Sequence, residues 1–185
     1  MDLLDKLIEQ AQKSTVRGFA EQFVGVYLLG KIPDVAALGF ATRVGAPNNQ
    51  DLLNAIRAGN KAKTNGTFLM RVEKSDRNTW KSRISVGRAK NNDLVFRHDS
   101  VSKLHAHFFV HATVRRGHPT EELMLSDVGS ANGTLVNGRT VDEGEEHAVA
   151  VKAGDRIHFG EVECDLLDAG SLHPKLKRLA ARSDF

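Results

Sequence analysis

Residues 67–72 read Thr-Phe-Leu-Met-Arg-Val, and with them the apolar period of the chain becomes two. Phe68, Met70 and Val72 alternate with Thr67, Leu69 and Arg71, so an extended backbone sends the two sets to opposite faces of a strand. The alternation returns at Ile84 and Val86, at Leu94 and Phe96, and at Ala106, Phe108 and Val110. Further short strands are expected at Leu123–Leu125, Thr134–Val136, Val149–Val151, Arg156–Phe159 and Val162–Leu167. Turn-forming stretches such as Ser75-Asp76-Arg77-Asn78 and Ala153-Gly154-Asp155 separate them. Many short strands with frequent turns predict an all-β sandwich.

Upstream of this half the period is that of a helix. Val16, Phe19, Phe23 and Tyr27 recur three and four apart, with Ala20, Val24 and Leu28 beside them, and Leu4, Ile8 and Ala11 share an earlier face. Pro33 breaks the pattern after Ile32, and Asn49 is placed to cap a segment ending near Gly59. The expected organisation is therefore a helical N-terminal segment over 1–62, a sandwich over 63–171 and a basic C-terminal tail over 172–185. In that tail Lys175, Lys177, Arg178 and Arg182 surround Leu176 and Leu179, a short amphipathic helix or a solvated end. The helical stripe must bury its face against the sandwich or against another chain, so a homo-oligomer through the N-terminal helices is one expectation.

Composition narrows the class. The chain has 185 residues, 41% hydrophobic and 26% charged, enough to bury a core without metals or cross-links. Cys164 is the single cysteine and forms no intramolecular disulfide, which points to a reducing, cytoplasmic compartment. The most apolar run, Phe19–Leu29, is too short to cross a bilayer and contains Glu21 and Gln22, so no membrane partner is expected. A net charge of +3 without a dense basic stripe gives no reason to expect nucleic acid.

In a sandwich the loops at one end carry function, and three polar or glycine-rich stretches lie between the strands. Gly87-Arg88 follows Ser85-Val86; Ser102-Lys103-Leu104-His105 precedes Ala106; Asp127 through Thr134 reads DVGSANGT, with Asn137-Gly138 after it. Each alone is ordinary turn chemistry: Arg88 suits a solvent-facing turn, Ser102 can bond its own backbone, and Asn132-Gly133 suits a tight hairpin.

In order and with strands between them, these blocks resemble the forkhead-associated (FHA) family. The family's Gly-Arg, Ser-x-x-His, Ser-x-Asn-Gly-Thr and Asn-Gly pattern runs through ISVGRAKNNDLVF (84–96), SVSKLHAHF (100–108) and LSDVGSANGTLVNGRTV (125–141). VKAGDRIHFG (151–160) is similar to the family's late Gly-Asp turn, and the resemblance spans about residues 64–170. It implies an FHA-like sandwich that binds phosphothreonine peptides, an adaptor acting with Ser/Thr kinases, whose partner is a phosphothreonine-containing protein, a kinase or a kinase substrate.

The resemblance also implies roles. Arg88 contacts the phosphate, Ser102 donates its hydroxyl to a phosphate oxygen, Lys103 adds positive field, and Asn132 hydrogen-bonds the ligand backbone. Gly87, His105, Gly133 and Thr134 shape the site, and the family seats the threonine methyl in a small apolar recess. Phosphothreonine brings about −1.5 to −2 charges and three acceptor oxygens, which a guanidinium, a hydroxyl and backbone donors complement.

Catalytic and metal readings are weaker. His105, His107 and His111 alternate as metal ligands could, but no nearby cysteine or paired carboxylate completes a set. Ser102 and His105 with Asp99 or Asp127 lack a nucleophile elbow. The sequence thus predicts no enzyme, no metal and no cofactor. The alternative is a phosphate-independent scaffold whose helices drive oligomerisation.

Overall fold

The computed structural model describes residues 3–33, 66–115 and 117–183. The segment expected to be capped by Asn49 lies outside the described residues. Two sheets face each other. The first takes the order β2-β1-β11-β10-β7-β8 from β1 (Val26–Lys31), β2 (Thr67–Arg71), β7 (Thr134–Val136), β8 (Arg139–Val141), β10 (Arg156–Phe159) and β11 (Val162–Asp168). The second takes the order β4-β3-β5-β6-β9 from β3 (Ile84–Gly87), β4 (Leu94–Val95), β5 (Ala106–Arg115), β6 (His118–Asp127) and β9 (Val149–Val151). All these strand pairings are antiparallel except β3 with β4.

The inward side chains of both sheets form the sandwich core: Leu28, Phe68, Val86, Phe96, Phe108, Leu125, Ile157, Phe159 and Leu166 are all buried. Phe159 stands at its centre, its ring 5.5 Å from that of Phe96 and 6.3 Å from that of Phe108. The alternation read from residue 67 onward is the imprint of this core on one side of each strand.

Three helices make a second layer: α1 (Leu3–Lys13), α2 (Val16–Gln22) and α3 (Ala169–Ser183). Thr15 caps α2, its Oγ1 accepting from the Gly18 N–H at 3.2 Å. Leu4, Leu7, Ala11 and Phe19 from α1 and α2 meet Leu172 and Leu176 of α3. The same cluster contains Tyr27, Leu29, Leu69 and Leu167, the side chains that β1, β2 and β11 turn away from the sandwich core. His173 Nε2 donates to the Ser14 carbonyl at 3.1 Å and ties α3 to the turn between α1 and α2.

The structure corrects two expectations. The helical stripe does not continue through Tyr27 and Leu28, because 26–31 is the strand β1, paired to β2 on one side and β11 on the other. Its side chains are buried on both faces, Leu28 in the sandwich and Tyr27 and Leu29 under the helices, so Val26-Tyr27-Leu28-Leu29 reads as an unbroken apolar run. The sheet therefore begins well before residue 63. Of the two readings of the C-terminal tail the amphipathic helix holds and the solvated end does not: Leu172, His173 and Leu176 of α3 are buried in the helix layer. Close packing marks β1 in another way, since a Cβ on Gly30 would lie 2.2 Å from the Glu163 carbonyl. Among the described residues no helix is long and apolar enough to cross a membrane.

Candidate functional site

Three loops gather at the end of the sandwich where β3 and β6 finish and β5 and β7 begin. Backbone hydrogen bonds join the first two: the Arg88 N–H donates to the Ser102 carbonyl at 2.8 Å and the Ala89 N–H to the Lys103 carbonyl at 3.1 Å. Gly87 makes this approach possible, because a Cβ there would stand 2.4 Å from the Lys103 carbonyl oxygen and 2.8 Å from Asn92 Nδ2. The buried Asn92 amide bridges the gap, donating to Ala89 O at 2.9 Å and Lys103 O at 2.7 Å.

The third loop is fastened to the second by side chains. Ser102 Oγ accepts from the Ala131 N–H at 3.0 Å, and Asn132 Nδ2 donates to the Ser100 carbonyl at 2.8 Å. His105 is fully buried beneath both. Its Nδ1 accepts from the Ser102 N–H at 3.0 Å, so Nε2 carries the proton and donates to Gly133 O at 3.1 Å. Gly133 has φ +76°, and its carbonyl also accepts from Gly160 N–H at 3.0 Å. The histidine is thus a neutral strut between loops, with both ring nitrogens committed to backbone.

Burial lowers the His105 pKa below its ordinary value near 6.5, against the weaker pull of the Gly133 carbonyl and Asp127. Burial also lowers that of His107. A group whose folded pKa is depressed contributes stability that is complete above the unfolded value and lost as pH falls through the folded one. Unfolding free energy is therefore expected to decline as pH drops below about 6.5, and replacing His105 by glutamine should flatten that limb. Urea unfolding at several pH values between 8 and 5 measures it, and a wild-type profile flat across that range would contradict the strut.

Asp127 anchors the third loop from inside. Its Oδ1 accepts from the Gly129 N–H at 2.9 Å and the Ser130 N–H at 2.8 Å; its Oδ2 accepts from Ser130 Oγ at 2.6 Å and Thr134 Oγ1 at 2.5 Å. Burial alone would raise the pKa of this carboxyl, but the Ser130, Thr134 and Gly129 hydrogen bonds outweigh it and hold it below the usual range. A second buried carboxylate, Asp93, binds the loop before β3 to the sheet by accepting from Ser75, Ser85, Asn78 and Lys74.

The uncommitted groups face outward. Arg88 is exposed and is held by one bond, Nε to the Val101 carbonyl at 3.2 Å, which leaves its two terminal nitrogens without partners among the described residues. The Ser102 hydroxyl accepts from Ala131, and its own proton has no acceptor among the described residues. Lys103 is exposed, and Asn132 retains its carbonyl oxygen. The structure brings Gly87, Arg88, Ser102, Lys103, His105, Asn132, Gly133 and Thr134 into one cluster, with Thr134 fully buried beneath it. Sequence reasoning missed Asn92, Ser100 and the scaffolding role of Asp127; all act on neighbouring backbone, and no spacing rule announces that.

The Ser102 hydroxyl makes no hydrogen bond to the His105 ring, which Ser102 engages only through its backbone N–H. Among the described residues no group of three His, Cys, Asp or Glu side chains is arranged to hold a metal ion.

The FHA domain family model matches residues 84–160. No curated protein matches the chain. Among solved structures, EmbR of Mycobacterium tuberculosis in complex with a low-affinity phosphopeptide is 17% identical over 78% of this chain and 24% of its own, with a TM-score of 0.41. The chain thus spans about a quarter of EmbR. The FHA domain of CT664 from Chlamydia trachomatis is 16% identical over 78% of this chain and 98% of its own, with a TM-score of 0.43. The yeast Dun1 FHA domain, in complex with a doubly phosphorylated peptide derived from Rad53, is 18% identical over 81% and 79%, with a TM-score of 0.44. It is the family match, falling on the very strands and loops that build the cluster, that identifies residues 84–160 as a forkhead-associated domain.

Proposed function

We propose that the chain is a phosphothreonine-dependent peptide-binding module. The observation that carries this reading is the unspent set of donors on one rim. Among the described residues the Arg88 fork, the Ser102 hydroxyl proton and the Lys103 ammonium have no internal acceptor, while the His105 ring beneath them is fully satisfied. Such a rim suits a dianion with three acceptor oxygens. The family reads phosphothreonine, and recognition of phosphorylated motifs by arginine is its general mode.

In this reading Arg88 and Ser102 take the phosphate, Lys103 raises the local potential, and Asn132 accepts from and donates to the backbone of an extended peptide. The partner is a phosphothreonine-containing protein made by a Ser/Thr kinase, met in the cytoplasm, and the chain acts as an adaptor without catalysis, cofactor, nucleic acid or membrane. Only a few loops touch a short peptide that must order on docking, so affinity is expected to be about micromolar. The scaffold alternative gains nothing specific, because the stripe of α1 that would drive oligomerisation is buried against β1, β2 and α3.

The test is a degenerate phosphothreonine peptide library screened on the full chain, followed by calorimetry of the best peptide in phosphothreonine, phosphoserine and unphosphorylated forms. The unphosphorylated form should not bind. Phosphoserine should bind about tenfold more weakly, the worth of one methyl in an apolar recess. Equal binding with and without phosphate would overturn the proposal, whereas equal phosphothreonine and phosphoserine binding would remove the recess alone.

A further inference from the structure

β5 and β6 are the longest strands, and their ladder runs from Ala106 opposite Asp127 to Arg115 opposite His118. Their outer neighbours are short. β3 reaches only 106–108 of β5, and β9 reaches only 123–125 of β6. Beyond these limits the hairpin continues as a two-stranded ribbon with both edges unpaired among the described residues. An uncovered two-stranded ribbon is marginal in water.

The two edges differ. Antiparallel residues alternate between bonding their partner strand and pointing away from it. Val128 N–H donates to the His105 carbonyl across this ladder, so odd-numbered residues of β5 bond β6 and even-numbered ones face outward. On β6 the outward residues are the odd ones, consistent with Leu123 and Leu125 meeting β9. The free edge of β6 therefore presents Pro119, which has no N–H, and Glu121. These are features that block strand addition.

The free edge of β5 has no such protection. It presents the N–H and C=O groups of Val110, Ala112 and Val114, whose side chains continue the core-facing row of Ala106 and Phe108. Val110 is 58% exposed and Val114 69% exposed, two of the six large hydrophobics so exposed among the described residues. From Phe109 to Val114 the strand carries no acidic or basic side chain other than His111.

We infer that this edge pairs with the same edge of a second copy, antiparallel about a twofold axis at Ala112. That register sets Val110 opposite Val114 of the partner subunit and Ala112 opposite its own copy, joining the apolar rows into one strip. On the other face His111 meets Thr113, so no like charges oppose one another. The paired stretch is only 110–114 on each copy, so the dimer is weak and concentration-dependent. The pairing uses none of the rim residues and is independent of the phosphopeptide reading.

Position 112 provides the test. Its side chain is exposed and its N–H is not used by the hairpin, so lysine there leaves β5–β6 intact, while glutamate faces Glu121 across the hairpin and its melting temperature is read alongside. Sedimentation velocity of the full chain from about 10 μM to about 1 mM should show a reversible monomer–dimer equilibrium, as expected for an interface this small. A112K and A112E should each weaken association at least about tenfold, because like charges meet on the axis. An equal mixture of the two should dimerise again. A wild type that stays monomeric throughout, single variants that still dimerise, or a mixture that stays monomeric although both variants melt like wild type would each overturn the inference.

Discussion

Arg88→Ala is expected to weaken phosphothreonine peptide binding by roughly 10- to 150-fold, the worth of one charge-assisted contact of about 1.5–3 kcal/mol. Arg88→Lys is expected to fail nearly as badly. The reason is visible in how the guanidinium is held: its Nε donates to the Val101 carbonyl, which fixes the plane of the group and turns the terminal nitrogens outward as a fork. Lysine keeps three donors but on one compact, strongly hydrated nitrogen, so it cannot present two parallel N–H groups from a plane fixed by a third. Charge attraction alone would let lysine rescue the ligand, but at physiological salt exposed charges are screened over about 8 Å, so the directional bonds dominate. Stability should change little, because Arg88 is exposed and gives up one peripheral bond. Calorimetry of wild type and both variants with one peptide, alongside their melting temperatures, decides this. Near-normal binding by the lysine variant would refute the fork, and near-normal binding by both would remove Arg88 from the site.

How much of this was legible in the sequence depends on whether a residue obeys a period. β2, β3 and β10 send alternate side chains into the sandwich, and polar residues between them, Thr67, Arg71, Ser85 and His158, left the alternation readable even though β2 buries Leu69 on its other face. β1 is buried on both faces and loses that signature, which is why Tyr27 and Leu28 fitted a helical stripe that ends near Phe23. The length of the β5–β6 hairpin was hidden for the opposite reason. Past Val110 the ribbon is largely exposed, so polar and apolar residues mix and no pattern marks the extension to Arg115 and His118. The outer residues of the recognition rim were found because an ordered set of short motifs carries them. The carboxylates and amides that hold those loops were not, because Asp127, Asp93 and Asn92 act on backbone groups whose positions only the fold decides.

Asp127→Ala should cost roughly 1.5–3 kcal/mol of stability, the range for losing hydrogen bonds to a charged group and leaving a buried donor unmet, and far more than any change at Arg88. The carboxylate is 4% exposed and receives four hydrogen bonds, from Gly129, two groups of Ser130, and Thr134. Without it Thr134 Oγ1, fully buried, loses its acceptor, while the Gly129 and Ser130 donors lie near enough to the surface to turn to water. Asp127→Asn should be milder, since one amide oxygen still accepts, while its new N–H group points toward existing donors. The pH dependence gives an independent signature. Because the folded carboxyl is held below its ordinary pKa of 3.8, its contribution is complete above that value and lost as pH falls through the folded pKa. Urea unfolding should therefore separate wild type from Asp127→Ala widely at pH 7 and much less near pH 2. Binding should fall as well, even where the variant is fully folded. The same loop carries Ala131, whose N–H positions the Ser102 hydroxyl, and Asn132, so loosening it blurs donors that a phosphate needs fixed. Unimpaired peptide affinity in a folded Asp127→Ala variant would mean that the loop holds its shape without its internal anchor.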